Sequence, residues 1–228
     1  MALILSIETS TTLCSVALHE QGALIADEEL HTPQAAASQL TPLIETLFTR
    51  TGMNRSSLRA VAVSAGPGSY TGLRIGLSTA KGICYALDVP LITMDSLHVL
   101  AAALPPSTHE GLLCPLFDAR RMEVYTCLLT PSLDVMEPTR ALVVDELSFS
   151  DVLARGPVNF FGNGAEKVKT IIHHPNARFS SGIYPRARAM GRLAFHQFER
   201  ASFADVRQFE PAYLKEFVAK TKITGTGL

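Results

Sequence analysis

Features of membrane or secreted proteins are absent from this sequence. No apolar run reaches about 18 residues, the length at which a membrane-spanning helix is considered. The amino terminus lacks the basic segment and the small-residue cleavage site of a secretory signal peptide. The four cysteines include no C-x-x-C pair and lie in apolar runs; they are Cys14, Cys84, Cys114 and Cys127. We therefore expect buried thiols in a reducing compartment, and a soluble, cytoplasmic protein.

Charge and metal-binding residues are also scarce. The formal net charge is −1, which gives no basic footprint for nucleic acid, so any contact with RNA is expected to be indirect. His98 has no second histidine three or four residues away, and H-E-x-x-H is missing, so no metal site is predicted. The hydrophobic content of 47% is sufficient for a substantial core.

The most distinctive stretch is a glycine-rich turn between a strand and a helix. It has the sequence Ser-Ala-Gly-Pro-Gly-Ser-Tyr-Thr-Gly-Leu-Arg-Ile-Gly over residues 64–76, directly after the apolar run 60–63. The helix extends to near Leu87, and Ser69 or Thr71 is placed to cap it. Glycines at a helix amino terminus can cradle a phosphate, but the spacing matches neither the P-loop nor G-x-G-x-x-G. The spacing therefore leaves phosphate binding open.

Small residues recur every four positions along this helix, at Gly72, Gly76 and Ala80. Glycine inside a helix costs roughly 0.5–1 kcal/mol relative to alanine, so a close contact should compensate. This ridge of small residues predicts that another backbone approaches the helix. The spacing does not decide whether that backbone belongs to the same chain or to a partner.

Three apolar runs near the start predict a meander of strands at 3–7, 13–18 and 23–30. The first hairpin carries an acid and several hydroxyls at residues 8–12. These groups either hold a phosphate or satisfy the backbone of an ordinary turn, and their spacing favours neither. Such a meander resembles the opening of the actin, sugar-kinase and Hsp70 superfamily, in which the first hairpin holds phosphate.

The second half repeats this pattern. A turn-rich boundary at 105–108 precedes the apolar run 112–117, which ends at Asp118 and has a hairpin mate at 123–129. A repeat of strand, acid-bearing turn and strand predicts a duplicated, two-lobed fold.

The turns of the second half depart from those of a phosphate site. Arg120 and Arg121 stand where the superfamily's kinases and ATPases have glycine after the acid. They would crowd a phosphate there, although they could pair with a partner's carboxylates or with an external phosphate. A solvated turn is equally compatible. Gly162 and Gly164 then form a turn into another helix.

Five motifs in order along the chain resemble the bacterial TsaB (YeaZ) family. They are the turn at 64–76, LSIETST at 5–11, CSVAL at 14–18, DARRMEVY at 118–125 and PAYLK at 211–215. The resemblance covers nearly the whole chain. It implies an α/β protein with the two-lobed actin-like/sugar-kinase/Hsp70 (ASKHA) ATPase fold, each lobe a mixed sheet flanked by helices. The lobes are expected at 1–104 and 105–228, the second smaller and degenerate.

The resemblance implies a non-catalytic subunit that dimerises with a TsaD-like catalytic paralogue in forming threonylcarbamoyladenosine at position 37 of tRNA. A TsaE-like ATPase is expected at the joint surface, and a homodimer is possible for the isolated chain. No catalytic residue, metal or cofactor is expected. In the resemblance, TsaD carries metal-binding histidines on the helix that corresponds to residues 33–50 and on a later segment, and the position where many TsaB-like chains have histidine appears here as Ala36. The resemblance also implies vestigial nucleotide turns, at Glu8, Thr9, Ser10, Asp118, Arg120, Gly162 and Gly164.

The partner is expected to contact two helices, the ridge helix and an amphipathic helix predicted from Pro33 to near Arg50. The expected interface residues are Leu40, Leu43, Ile44, Leu47, Gly72, Arg74, Ile75, Gly76, Thr79 and Ala80. In this hypothesis the helices form a bundle with the partner's equivalents. Gly76→Glu is then expected to separate the subunits and leave the fold largely intact.

Two other functions compete with the subunit hypothesis. The first is a stand-alone ATP-dependent kinase or ATPase, with Glu8 and Asp118 around a magnesium-bound phosphate. Arg120, Arg121 and the shortness of the chain argue against it. The second is a protease, but no Ser-His-Asp or Cys-His arrangement can be assembled from the sequence.

Overall fold

The strands of the protein form two five-stranded sheets within the part of the chain that the computed structural model describes, residues 2–32, 35–108, 110–212 and 214. The first sheet contains β1 (Leu3–Glu8), β2 (Leu13–Glu20), β3 (Ala23–His31), β4 (Leu58–Ser64) and β5 (Leu91–Met94). The second sheet contains β6 (Leu112–Asp118), β7 (Glu123–Leu129), β8 (Val135–Val143), β9 (Val158–Phe161) and β10 (Ala177–Ser180).

The two sheets have the same topology. The first has the order β3-β2-β1-β4-β5 and the second β8-β7-β6-β9-β10. In each, three strands form an antiparallel meander, and two more join in parallel beside the first strand. Glu8 and Asp118 are the last residues of the equivalent strands β1 and β6. This duplication confirms the two-lobed actin-like α/β fold predicted from the sequence.

Helices cover both faces of the first sheet. The α-helices of the described residues, in both lobes, are α1 (Ala35–Thr51), α2 (Tyr70–Leu87), α3 (Ser96–Ala102), α4 (Ser150–Arg155), α5 (Ala165–Lys169) and α6 (Gly191–Glu199). Helices α1 and α2 pack on one face of the first sheet and α6 on the other. Both faces of β1 are therefore buried, which explains its continuous apolar sequence. No helix in the described residues is long and apolar enough to cross a membrane.

The chain returns to the first sheet after β10. The predicted division into residues 1–104 and 105–228 places this segment in the second lobe. Ala187, Met190 and Ala194 are buried against the first sheet. Further on, Ala204 bridges to Leu91 at the edge of that sheet. Residues 187–212 thus cover apolar surface of the first lobe, although the prediction assigned them to the second. Tyr213 and Lys215 of the PAYLK motif lie outside the described residues.

The glycine ridge of α2 packs against the chain's own first hairpin. A Cβ atom at Gly72 would overlap the carbonyl oxygen of Thr9, and one at Gly76 would overlap Thr9 Oγ1. That hydroxyl donates a hydrogen bond of 2.9 Å to the carbonyl of Gly72. Ala80 is also fully buried. The backbone that the ridge was predicted to meet is therefore internal.

This packing involves part of the predicted partner interface, which itself stays a prediction. Six of its residues are buried in the isolated chain: Leu40, Ile44, Leu47, Gly72, Gly76 and Ala80. Leu43, Arg74, Ile75 and Thr79 retain exposed surface. Helical periodicity identified the small and apolar faces correctly, but these faces pack on the first sheet because its own apolar side chains must be covered.

Gly76→Glu is therefore unsuitable as an interface test, and alanine at the same position tests the internal contact instead. We expect Gly76→Ala to lower the free energy of unfolding by about 1–3 kcal/mol, because the added methyl group meets the Thr9 side chain. Gly82 lies on the same helix with nothing within 4 Å of its Cβ position. Gly82→Ala should instead stabilise by about 0.5–1 kcal/mol. Urea unfolding of both variants checks the pair, and equal effects would contradict the packing described.

Candidate ligand cleft

Loops at the carboxyl ends of β1, β4, β6 and β9 enclose a cleft of about 1100 Å³ between the two lobes. Ligands of open α/β sheets bind at such strand ends. Hydroxyls and glycines line one wall: Ser10, Thr11, Thr12, Gly68, Ser69, Tyr70, Thr71 and Gly72. Charged and aromatic groups line the other: Phe117, Asp118, Arg120, Arg121, Glu123, Tyr125 and Asn163. The topology thus brings both predicted acid-bearing turns to one site.

The first acid is buried behind its hairpin. Glu8 Oε1 accepts a hydrogen bond of 2.6 Å from the backbone N–H of Ser10. Glu8 Oε2 and the Ser10 hydroxyl are buried atoms without a hydrogen-bond partner in the described residues. Burial raises the pKa of Glu8 to about 7, against the opposing effect of the polar groups of Ser10 and Ser64. At neutral pH this carboxyl group is therefore partly protonated, which weakens it as an anionic ligand.

The glycine-rich turn packs directly on this hairpin. Ser69 caps α2, as one of the two predicted candidates, by accepting a hydrogen bond from Gly72 N at 3.3 Å. The Ser69 N–H donates to the carbonyl of Ser10 at 2.7 Å. Gly68 has a φ of +155°, and a Cβ there would collide with Ser10. Glycine is therefore required at position 68 by the contact with Ser10, independently of any phosphate.

The second acid is held by a lysine that the sequence analysis did not select. Lys167 Nζ on α5 lies 2.7 Å from Asp118 Oδ1, and the N–H of Arg120 donates to the same oxygen at 2.7 Å. Partial burial acts to raise the pKa of Asp118, but the hydrogen bonds from Lys167 and Arg120 outweigh it and hold the pKa below its usual value. Asp118 is therefore an anion already paired with a cation of the chain.

Gly162 and Gly164, in the turn between β9 and α5, also have a packing role. Gly162 has a φ of +100°, and a Cβ there would overlap the carbonyl of Leu116. Gly164 lies against Phe117 on the same strand. Between them Asn163 accepts a hydrogen bond from the N–H of Asp118 at 2.9 Å. This turn therefore fixes the position of α5, and with it Lys167.

These residues do not fit the magnesium-bound nucleotide that the actin-like fold implies. Asp118 Oδ1 is engaged by Lys167, and two arginines occupy the adjoining turn. Glu8 is buried and has a raised pKa. Within residues 2–32, 35–108, 110–212 and 214, no three side chains of His, Cys, Asp or Glu are grouped so that they could hold a metal ion. The cleft therefore gives no support to the kinase or ATPase hypothesis.

A buried serine–histidine pair does not form a protease site either. Ser6 Oγ lies 3.1 Å from His19 Nδ1, and His19 Nε2 lies 3.2 Å from the carbonyl of Arg188. Both side chains are buried in the first sheet, and the group at the second nitrogen is a carbonyl rather than a carboxylate. A substrate cannot reach this serine. The four cysteines are buried free thiols, and burial raises their pKa values.

The fold and cleft define a protein of the actin-like class, in which two lobes of the same sheet topology enclose a cleft. Within that class, the family model described as TsaD, tRNA N6-adenosine threonylcarbamoyltransferase, matches residues 31–225. The chain is 31% identical to the tRNA threonylcarbamoyladenosine biosynthesis protein TsaB of Bacillus subtilis, over 96% of both chains. It is 28% identical to TsaB of Escherichia coli, over 97% of this chain and 98% of that protein.

A solved structure agrees with these matches. YeaZ from Pseudomonas aeruginosa superposes with a TM-score of 0.81 at 25% identity and covers 94% of this chain and 100% of its own. The protein therefore belongs to the TsaB (YeaZ) family. A catalytic relative, the tRNA N6-adenosine threonylcarbamoyltransferase of Solidesulfovibrio magneticus, is 37% identical over 119 residues, which are 45% of this chain and 32% of that one.

The buried Glu8 generates a prediction about pH. Between its ordinary pKa of 4.5 and its raised pKa of about 7, the folded protein retains a proton that the unfolded chain has released. The free energy of unfolding must therefore fall as pH rises through this window. Glu8→Gln removes this loss, so the variant should gain about 2–3 kcal/mol relative to the wild type between about pH 5 and pH 8. Urea unfolding of both proteins at the two pH values measures the difference, and parallel pH profiles would contradict it.

Proposed function

We propose that the protein is a non-catalytic subunit that binds and supports a TsaD-like transferase in forming threonylcarbamoyladenosine on tRNA. Membership of the TsaB family associates the chain with this biosynthesis. The paired Asp118 and the protonatable Glu8 favour a supporting role over a catalytic one. A TsaE-like ATPase would bind at the joint surface of the pair, and tRNA would be contacted mainly through the partner.

The observation that carries the docking part of the proposal is the outer face of α2. This helix has only two charged residues, Arg74 and Lys81. Beyond the exposed Tyr70 at its first position, its exposed residues form one continuous stripe, which we call the α2 face: Thr71, Arg74, Ser78, Gly82, Tyr85 and Ala86. Tyr85 is 79% exposed. Aromatic and arginine side chains surrounded by uncharged neighbours are typical of interface cores, where lysine and acidic residues are depleted.

The α2 face replaces the buried ridge in the predicted interface. Leu43 on α1 and Ile75 and Thr79 on α2 flank it and are half-buried. Ser78 and Gly82 are small, so a partner helix could approach closely between Arg74 and Tyr85. The Arg74 guanidinium lies 4.4 Å from the centre of the Tyr70 ring, which limits the freedom of that arginine. A helical bundle with the partner remains the proposed mode of association.

Gly82→Glu tests this interface without disturbing the fold. The site is exposed, and the space around its Cβ position is open. We expect the variant to fold normally and to lose co-purification with the TsaD-like chain of the same organism, because a charge would be buried at the contact. Tyr85→Ala should weaken the complex by at least about tenfold, as expected for an aromatic anchor. Ala154→Glu, at an exposed position on α4, is the matched control.

Retention of a tight complex by Gly82→Glu would rule out the α2 face as the interface. Loss of binding in Ala154→Glu as well would indicate a non-specific charge effect. The same face could dock a second copy symmetrically in the isolated chain. Sedimentation of the wild type and Gly82→Glu, each without the partner, would then show a dimer in the first and a monomer in the second. Modification of tRNA by the reconstituted pair, lost in parallel with binding, completes the test.

A further inference from the structure

We infer that the outer side of α6 and the segment after it bind RNA directly, with arginines on phosphate groups and an aromatic ring against an unstacked base. We call this region the α6 surface, and its residues are Arg188, Arg192, Arg200, Phe203 and Arg207. The assignment of the RNA as a tRNA rests on the proposed function, and the contact adds to those made through the partner. None of the five residues lines the interlobe cleft.

Positive charge is concentrated near the end of the sequence, although the whole chain has a net charge of −1. Residues 1–185 contain 12 lysines and arginines and 17 acidic residues, whereas residues 186–228 contain eight and four. A local excess of basic residues is the electrostatic signature of a nucleic-acid contact, and it acts on a ligand even where the protein as a whole is close to neutral. The overall charge therefore conceals a basic region.

Arginines recur on the outer side of α6 and of the turn before it. Arg188, Arg192 and Arg200 are exposed and are spaced by four and eight residues, so they lie on one side of the helix. The opposite side, with Ala194, is buried against the first sheet. Arg188 lies 3.8 Å from the carboxylate of Asp27, a long ion pair at an exposed position. The outer side of α6 thus presents a row of guanidinium groups to the solvent.

The other arginines of the α6 surface are available to a ligand. In the part of the chain that the structure describes, Arg192, Arg200 and Arg207 form no ion pair. The neighbouring acids do not neutralise them. Glu199 has no ion pair in that part of the chain either, and Asp205 accepts a hydrogen bond of 2.7 Å from the backbone N–H of Arg207. Guanidinium groups bind phosphate oxygens in a bidentate manner.

An exposed aromatic side chain accompanies these cations. Phe203 is 42% exposed and lies between Arg200 and Arg207 in the sequence. Its ring centre is 5.9 Å from that of Phe198, which packs against the first sheet and so limits the movement of the outer ring. Unstacked bases bind to aromatic side chains, and arginines beside the ring hold the neighbouring phosphates. The combination of ring and cations favours RNA with an unpaired base over an acidic protein.

The α6 surface continues around an edge of the first sheet to α2. Phe198 packs on one face of that sheet, whereas Val206 packs on the other. Between them Ala204 bridges to the edge strand β5. The ammonium group of Lys81, on α2, lies 3.5 Å from the carbonyl of Arg207 and adds a further cation. The surface therefore ends beside the proposed docking helix, so an RNA bound to the partner could extend onto it.

Fluorescence anisotropy of a labelled tRNA transcript, titrated with the full-length protein in the absence of its partner, tests the inference. We expect binding that weakens with salt, by about 0.7–0.9 in log Kd per unit of log salt concentration for each phosphate contacted. Labelled polyglutamate is the probe for an acidic protein. No binding of tRNA at low salt, or binding of polyglutamate as tight as that of tRNA, would overturn the inference.

A double variant tests the arginines. Arg192→Gln combined with Arg200→Gln should weaken tRNA binding at least about tenfold and reduce the salt slope by about 1.5, since two phosphate contacts are lost. Arg155→Gln combined with Lys169→Gln removes the same charge from exposed positions of the second lobe and should change neither quantity. Equal losses in the two double variants would show that only the net charge matters, which would contradict a defined surface.

Substitutions of Phe203 test base stacking. Phe203→Leu should weaken binding of an RNA hairpin with an unpaired loop at least about fivefold and leave the salt slope unchanged, because it removes the ring and no charge. Phe203→Tyr keeps the ring and should bind as the wild type does. A blunt RNA duplex, whose bases are already stacked, should bind all three proteins equally. Weaker duplex binding by Phe203→Leu would contradict stacking, and the arginine variant still tests the surface if thermal melting shows that Phe203→Leu does not fold.

Failure of this inference is distinguishable from failure of the proposed function. The Arg192 and Arg200 double variant should co-purify with the TsaD-like chain as the wild type does. Gly82→Glu should lose that partner and, as an isolated chain, bind tRNA as the wild type does. Loss of the partner in the arginine variant would show that the α6 surface binds protein, and it would overturn the assignment to RNA.

Discussion

The close contact between the first hairpin and α2 sets the geometry of the rest of the first lobe. Thr9 packs against Gly72 and Gly76, and Ser10 packs against Gly68, with no space for a Cβ atom at any of the three glycines. This contact buries Glu8 and removes its carboxylate from the cleft surface. It also fixes the rotation of α2 about its axis, because the glycine side must face the hairpin. The opposite side of the helix, with Tyr85, is exposed as a consequence.

In the second lobe, the acid at the end of the first strand is held by a different interaction. Its sheet repeats the first, and its acid stands at the equivalent strand end, yet the turn that follows carries arginines. Lys167 compensates by binding Asp118 and two backbone carbonyls of the hairpin. In the first lobe, burial of Glu8 favours its uncharged form. In the second lobe, the charge of Asp118 is balanced by Lys167. Both arrangements reduce the free negative charge that a magnesium-bound nucleotide would require.

Much of the fold was predictable because the relevant signals are local. Apolar runs located β1, β4 and β6, the spacing of apolar residues located α1 and α2, and Ser69 was one of two proposed caps. The repeat of an acid-bearing hairpin predicted the duplicated lobes. The partner interface stays a prediction, and the burial of six of its residues has a physical reason. Periodicity shows which face of a helix is small or apolar, but the neighbour of that face depends on contacts distant in sequence, such as that between Thr9 and Gly76.

The sequence by itself determined the strands and helices, the pairing of the two halves and, through motifs spread along the chain, the TsaB family. Such features depend on residue type and short-range spacing. The tertiary structure alone decided that the glycine ridge faces inward, that α6 and residues 187–212 return to the first sheet, and that Lys167 binds Asp118. Lys167 and Asp118 are separated by a hairpin, a strand and a helix. Only the folded topology brings the ammonium group and the carboxylate within hydrogen-bonding distance, and no local pattern encodes that proximity.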